Sequence, residues 1–238
     1  MTMSDHTAKA FDLDLQELRK MIAEMGGLTE RQIMESLGVL ECHDAARAQR
    51  VIAADLGIDA LQREIEDKAV LTIARRQPMA VDLRELVGAL RLCNDLERIG
   101  DLAKNVAKRA ALLEGESHSL RVSRGVQHMG AVVLAQLKQV LDSYATHDLE
   151  KALAVWRGDE EIDALCISIF RELLTYMLED PRNITSCIHL MFCAKNIERI
   201  GDHATNVAET VYYLVEGRTI PQKTRPKGDD TILAALSR

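Results

Sequence analysis

The feature that most constrains this chain is that it repeats itself. Glu97-Arg98-Ile99-Gly100-Asp101, followed by Ala103, Asn105, Val106 and Ala107, recurs 101 residues later as Glu198-Arg199-Ile200-Gly201-Asp202, followed by Ala204, Asn206, Val207 and Ala208. Further upstream the offset is 104: Met25-Gly26, Asp44, Asp55 and Ile58-Asp59-Ala60-Leu61 match Met129-Gly130, Asp148, Asp159 and Ile162-Asp163-Ala164-Leu165. A fixed internal period means one supersecondary unit used twice, so the 238 residues are read as two copies of one design. The change of offset places a three-residue length difference in the loop before the last element of each copy.

Each copy reads as three long helices. Asp44 and Asp148 precede Ala-rich apolar periodicity and have the chemistry of N-caps, which accept hydrogen bonds from first-turn amides. Pro78 and Pro181 fall just before the last helices, where a missing N–H costs nothing. The spans predicted are 8–43, 45–75, 82–114, 119–145, 149–178 and 183–216, about 45 Å for a 30-residue helix. Aromatics are only 3% of the chain against 47% hydrophobic residues overall, which suits helices packed through aliphatic side chains. The expected fold is all-α, two tandem three-helix bundles: residues 1–115, then 116–216, with a mobile tail from 217 to 238. In the third and sixth helices a small-residue stripe (Cys93, Leu96, Gly100, Ala103, Ala107, Ala110; then Ala194, Ile197, Gly201, Ala204, Ala208, Val211) predicts close helix crossings at Gly100 and Gly201.

Several function classes are disfavoured. A net charge of -7 does not suit a nucleic-acid partner. Five cysteines without a C-x-x-C spacing predict reduced, mostly buried thiols. No signal-peptide core and no membrane-length apolar run is found, so the expected location is the cytoplasm, with membranes met only through partners. Walker, dinucleotide and nucleophile-elbow motifs are absent, as is the Glu-x-x-His of di-iron bundles. His203 is about 100° around its helix from Asp202 and is expected to face away from it.

What remains is acidic. Carboxylates four residues apart occur at Asp55/Asp59, Glu97/Asp101, Asp159/Asp163 and Glu198/Asp202, all at repeat-equivalent positions. Like charges at that spacing destabilise a helix by roughly 0.2–0.5 kcal/mol unless neutralised. If the second and third helices of a copy lie side by side, four carboxylates converge, and an oxygen-only set suits Mg²⁺, Mn²⁺ or Ca²⁺, with iron or zinc also compatible. Asn105 and Asn206, one turn further on, are candidate additional ligands. Because the acids lie one residue beyond the apolar stripe, the site is expected at the open edge of each bundle. The alternative is a solvated face whose acids pair with Arg63, Arg98, Lys104 and Arg199. Lys195, against Asn94 in the first copy, could partly neutralise the second cluster.

With these residues in view, the chain resembles the PhoU family of phosphate-transport regulators. The resemblance rests on Glu198 to Glu209, on Gln77-Pro78-Met79-Ala80-Val81-Asp82-Leu83-Arg84, and on the E-x-x-x-D spacing in both halves. Leu102, opposite His203, is a departure from the signature in the first copy. The resemblance implies a non-enzymatic cytoplasmic adaptor that links a phosphate ABC transporter's ATPase subunit to a sensor histidine kinase. It implies negative regulation of phosphate uptake and of the phosphate-starvation response, frequent homodimerisation, and bound iron, zinc, manganese or magnesium. The competing class is a carboxylate-bridged metallo-hydrolase or oxidase.

Overall fold

The computed structural model describes residues 3–113 and 120–221. Six long α-helices account for nearly all of them: α1 Met3–Cys42, α2 Ala45–Arg76, α3 Val81–Ala110, α4 Leu120–Thr146, α5 Leu149–Glu179 and α6 Ile184–Glu216. The expected all-helical class is found, with each helix where its punctuation put it. Asp44 accepts from the amides of Ala46 (2.8 Å) and Arg47 (3.1 Å), and Asp148 accepts from Lys151 (3.2 Å). The residues before these caps, His43 and His147, are both left-handed, at φ 53° and 54°, so the turn between the first two helices of each copy is built the same way. Pro181 opens a short 3-10 turn, Pro181–Asn183, ahead of α6. The predicted third helix ran to 114; it stops at Ala110 and tightens into a 3-10 turn, Ala111–Leu113, as helix ends often do. The tail read as mobile lies outside the described residues beyond 221.

The two copies are not beads on a string. The most extensive helix pairing in the molecule is α3 against α6, across the copies, and α1 also packs on α4, while α2 and α5 lie outside. Both small-residue stripes are buried in this shared core. Gly100 and Gly201 are crossing points as expected: a Cβ would lie 3.0 Å from Ile58 Cδ1 at the first and 2.7 Å from Ile162 Cδ1 at the second. The Met-Gly pairs, to which sequence gave no role, are explained by the α1–α4 contact. Leu141 fills the space beside Gly26 (2.9 Å to a Cβ) and Leu37 the space beside Gly130, a reciprocal pair because Leu37 and Leu141 are themselves 104 apart. Met25 and Met129 are fully buried beneath them. No helix among the described residues is long and apolar enough to cross a membrane.

Candidate functional site: two acidic clusters

Packing of α2 on α3 brings Asp55, Asp59, Glu97 and Asp101 into one neighbourhood. The Glu97 carboxyl is held above its ordinary range first by burial and then by the fields of Asp101, Asp59 and Asp55. The clusters are not, however, at an open edge. Asp55 is 3% exposed, Asp159 5% and Glu198 3%, whereas Asp101 is half-buried and Asp202 exposed, so each cluster runs from a buried floor to a solvent rim. The reason is a third helix that the spacing argument left out. On the first side α1 covers the floor, where the Gln32 amide donates to Asp55 Oδ1 (2.8 Å) and to the Gly100 carbonyl (3.0 Å). On the second side α4 does so with the equivalent Gln136, which donates to the Gly158 carbonyl at 3.1 Å. The 104-residue offset joins these two glutamines, so the same repeat search could have found them.

The clusters differ in their cations. Lys104, one turn after Asp101, reaches across the helix pair and donates to both Asp55 and Asp101. Asp55 and Asp101 hold the Lys104 ammonium well above the ordinary lysine range, overcoming the opposing effect of its burial. Thr205 stands at the equivalent position and donates to Asp159 Oδ1 at 3.1 Å. The second cluster has its lysine one turn before the acids instead: Lys195 donates to Glu198 Oε1 at 3.0 Å. Two acceptor oxygens of the second half, Glu198 Oε2 and Gln136 Oε1, are buried with no hydrogen-bond partner among the described residues. None of the first cluster's side-chain atoms is so placed. Burial, and then Asp202, push the Glu198 carboxyl up to about 7, and burial raises Asp163 as well. The arginines stay peripheral: Arg98 lies 3.6 Å from Glu97, and Arg63 bonds the backbone carbonyl of Asp59.

The asparagines are not placed with the carboxylates. Eight residues along a helix turn the side chain by about 80°, enough to carry Asn206 off the Glu198/Asp202 face and into the groove beside the α3–α6 crossing. There it donates to Asp95 at 3.3 Å, and Asp95 also bonds His203 at 2.9 Å. His203 thus faces away from the acids, as expected, and toward a partner in the other copy that sequence did not identify. Asn206 and Asp95 line a cavity of about 570 Å³ with Arg91, Glu209 and Tyr213. Its pseudo-symmetric mate, about 440 Å³, is lined by Asn105, Lys108, Arg109, Leu112, Phe192 and Asn196. Among the described residues, no group of three or more His, Cys, Asp or Glu side chains is gathered closely enough to hold an ion as it stands.

An all-helical duplication with paired, partly buried acidic clusters defines a class of two-repeat helical proteins with candidate cation sites. Comparison with known proteins narrows it. The PhoU domain model matches residues 22–110 and again 126–211, and the chain belongs to the PhoU family. The phosphate-specific transport system accessory protein PhoU homolog of Rhizobium meliloti is 54% identical over 226 residues, covering 95% of both chains. Its counterpart in Caulobacter vibrioides is 47% identical over 227 residues, covering 95% of this chain and 98% of that one. Crystal structures of PhoU from Pseudomonas aeruginosa (40% identity, TM-score 0.84, 87% of this chain and 100% of that one) and of the phosphate transport system regulatory protein PhoU from Streptococcus pneumoniae (27%, 0.82, 89% and 100%) share the fold.

Proposed function

We propose that this protein is a non-enzymatic cytoplasmic regulator of phosphate homeostasis. It connects the ATPase subunit of a phosphate ABC transporter to a sensor histidine kinase and restrains phosphate uptake and the starvation response when phosphate is ample. Family membership carries this reading, through relatives that are named as accessory proteins of phosphate-specific transport and match over nearly their whole length. The two grooves flanking the α3–α6 crossing support an adaptor with two different partners. They are equivalent by the repeat yet opposite in charge, Asp95 and Glu209 on one side against Lys108 and Arg109 on the other. Complementary charge chooses partners more than it adds affinity.

In the same reading the molecule works as a dimer, and a divalent or trivalent ion (iron, zinc, manganese or magnesium) orders an acidic face. In the second half Asp159, Asp163, Glu198 and Asp202 would hold it once drawn together, and Glu198 Oε2 is buried there without a hydrogen-bond partner among the described residues. In the first half Lys104 already bridges two of the acids.

A transcriptional reporter for phosphate-starvation genes tests the regulatory role. Deleting the chain should switch the reporter on in ample phosphate, and restoring it should switch the reporter off; an unchanged reporter in the deletion would refute the regulatory assignment.

A further inference from the structure

Between α1 and α2 lies a third cavity, of about 390 Å³, lined by the apolar Leu28, Val51 and Ala54 and by Arg31, Glu35 and Arg50. Gln32, whose amide donates to Asp55, lines it too, so the cavity lies beside the first acidic cluster without sharing its carboxylates. We propose that this cavity binds a small phosphate monoester, with the phosphoryl group on the Arg31 and Arg50 guanidiniums and the organic part on Leu28 and Val51. The site stands apart from the acidic clusters and from the two grooves, so it holds or fails independently of the regulatory assignment.

Its charge is unbalanced. Three guanidiniums, of Arg31, Arg47 and Arg50, act on one carboxylate: the Arg47 hydrogen bond, and then the fields of Arg47, Arg50 and Arg31, hold Glu35 below the ordinary carboxylate range against its burial. Arg47 already occupies that carboxylate, with Nε 2.8 Å from Glu35 Oε2. Gly38 makes room for it, since any Cβ there would collide with the Arg47 guanidinium. Arg31 and Arg50 are exposed and, among the described residues, have no carboxylate within ion-pair distance. Helix packing does not require this arrangement. At the 104-residue offset the second copy keeps apolar lining in Val132 and Val155 and the glutamine in Gln136, but has Ala135, Gln139 and Ala154 where Arg31, Glu35 and Arg50 stand. Opposite Arg47 it has Lys151, which pairs with the cap Asp148 at 3.5 Å.

Guanidinium forks match oxyanions, and two free forks favour a dianion over a monoanion. A phosphate monoester carries about −1.5 to −2 charge near neutral pH, more than a carboxylate does. The cavity is of a size for small molecules, and orthophosphate alone would leave its apolar lining wet.

Equilibrium dialysis of the full-length protein against phenyl phosphate, orthophosphate and benzoate tests the proposal. Phenyl phosphate should be retained, with orthophosphate and benzoate each bound more weakly, the first for want of an apolar body and the second for want of charge. Arg31→Gln combined with Arg50→Gln should weaken phenyl phosphate binding by roughly tenfold or more. Lys108→Gln with Arg109→Gln, in the basic groove, should leave it unchanged. Both cavity arginines are exposed, so the fold should survive their replacement, which circular dichroism checks. No retention of phenyl phosphate at millimolar concentration, the same affinity without the two arginines, or equal weakening by the Lys108 and Arg109 pair would overturn the site. Orthophosphate or benzoate bound as tightly as phenyl phosphate would overturn the monoester assignment.

Discussion

Lys104→Met is expected to destabilise the metal-free protein by about 3–5 kcal/mol, because it leaves Asp55 buried without its cation. For a chain of this size that corresponds to a fall in Tm of roughly 10 °C. The effect comes from the aspartate left behind and not from a lost attraction, so it has a signature. Asp55 is 3% exposed and, among the described residues, keeps the Gln32 amide as its side-chain donor when the ammonium is gone. Replacing both charges, Asp55→Asn with Lys104→Met, should therefore recover most of the loss, since an asparagine keeps a partner in Gln32 and has no charge to neutralise. Urea unfolding of wild type, the two single variants and the double variant gives the coupling directly. A Lys104→Met protein as stable as wild type would show that the bridge is a surface pair of little weight.

The second cluster should reveal itself through pH. Burial and Asp202 raise the Glu198 carboxyl from 4.5 to about 7, which means that the folded state holds a proton the unfolded chain would release. Between those values the native state binds more protons than the unfolded one, so stability falls as pH rises. The contribution is fully present below about 4.5 and lost once pH has passed through 7. At 1.36 kcal/mol for each pKa unit, the group alone removes about 3 kcal/mol across the window. Glu97 and Asp163 shift in the same direction, so the difference between proteins is the informative quantity. In chelator, Glu198→Gln should match wild type at pH 4.5 and exceed it by about 3 kcal/mol at pH 8, measured by urea unfolding. Parallel pH profiles for the two proteins would contradict this account of Glu198.

How much of this was legible beforehand follows from where each signal lies. Helix number and order were readable because caps and prolines act locally, at Asp44, Asp148 and Pro181, and the repeat supplied a second copy of each mark. The pairing of acids on α2 with acids on α3 was readable from helical spacing alone. Their depth was not, because the helix that covers them lies 23 residues before Asp55, and only the fold brings Gln32 to that carboxylate. Contacts between the copies were illegible for a related reason. Asp95 with His203, and Leu37 with Gly130, join positions that no periodicity within one helix connects. Asn105 and Asn206 were expected with the acids because one more turn looks like the same face; the drift of 3.6 residues per turn, accumulated over eight residues, moved them into the neighbouring grooves.

The adaptor role is tested most directly by co-purification of the tagged, full-length protein from cells grown in ample phosphate, with the transporter ATPase and the sensor kinase assayed in the eluate. The account predicts that both are retained, and that reversing groove charge at Lys108 and Arg109 (each to Glu) releases one of them while the other stays. Absence of both partners, in ample and in scarce phosphate alike, would contradict it.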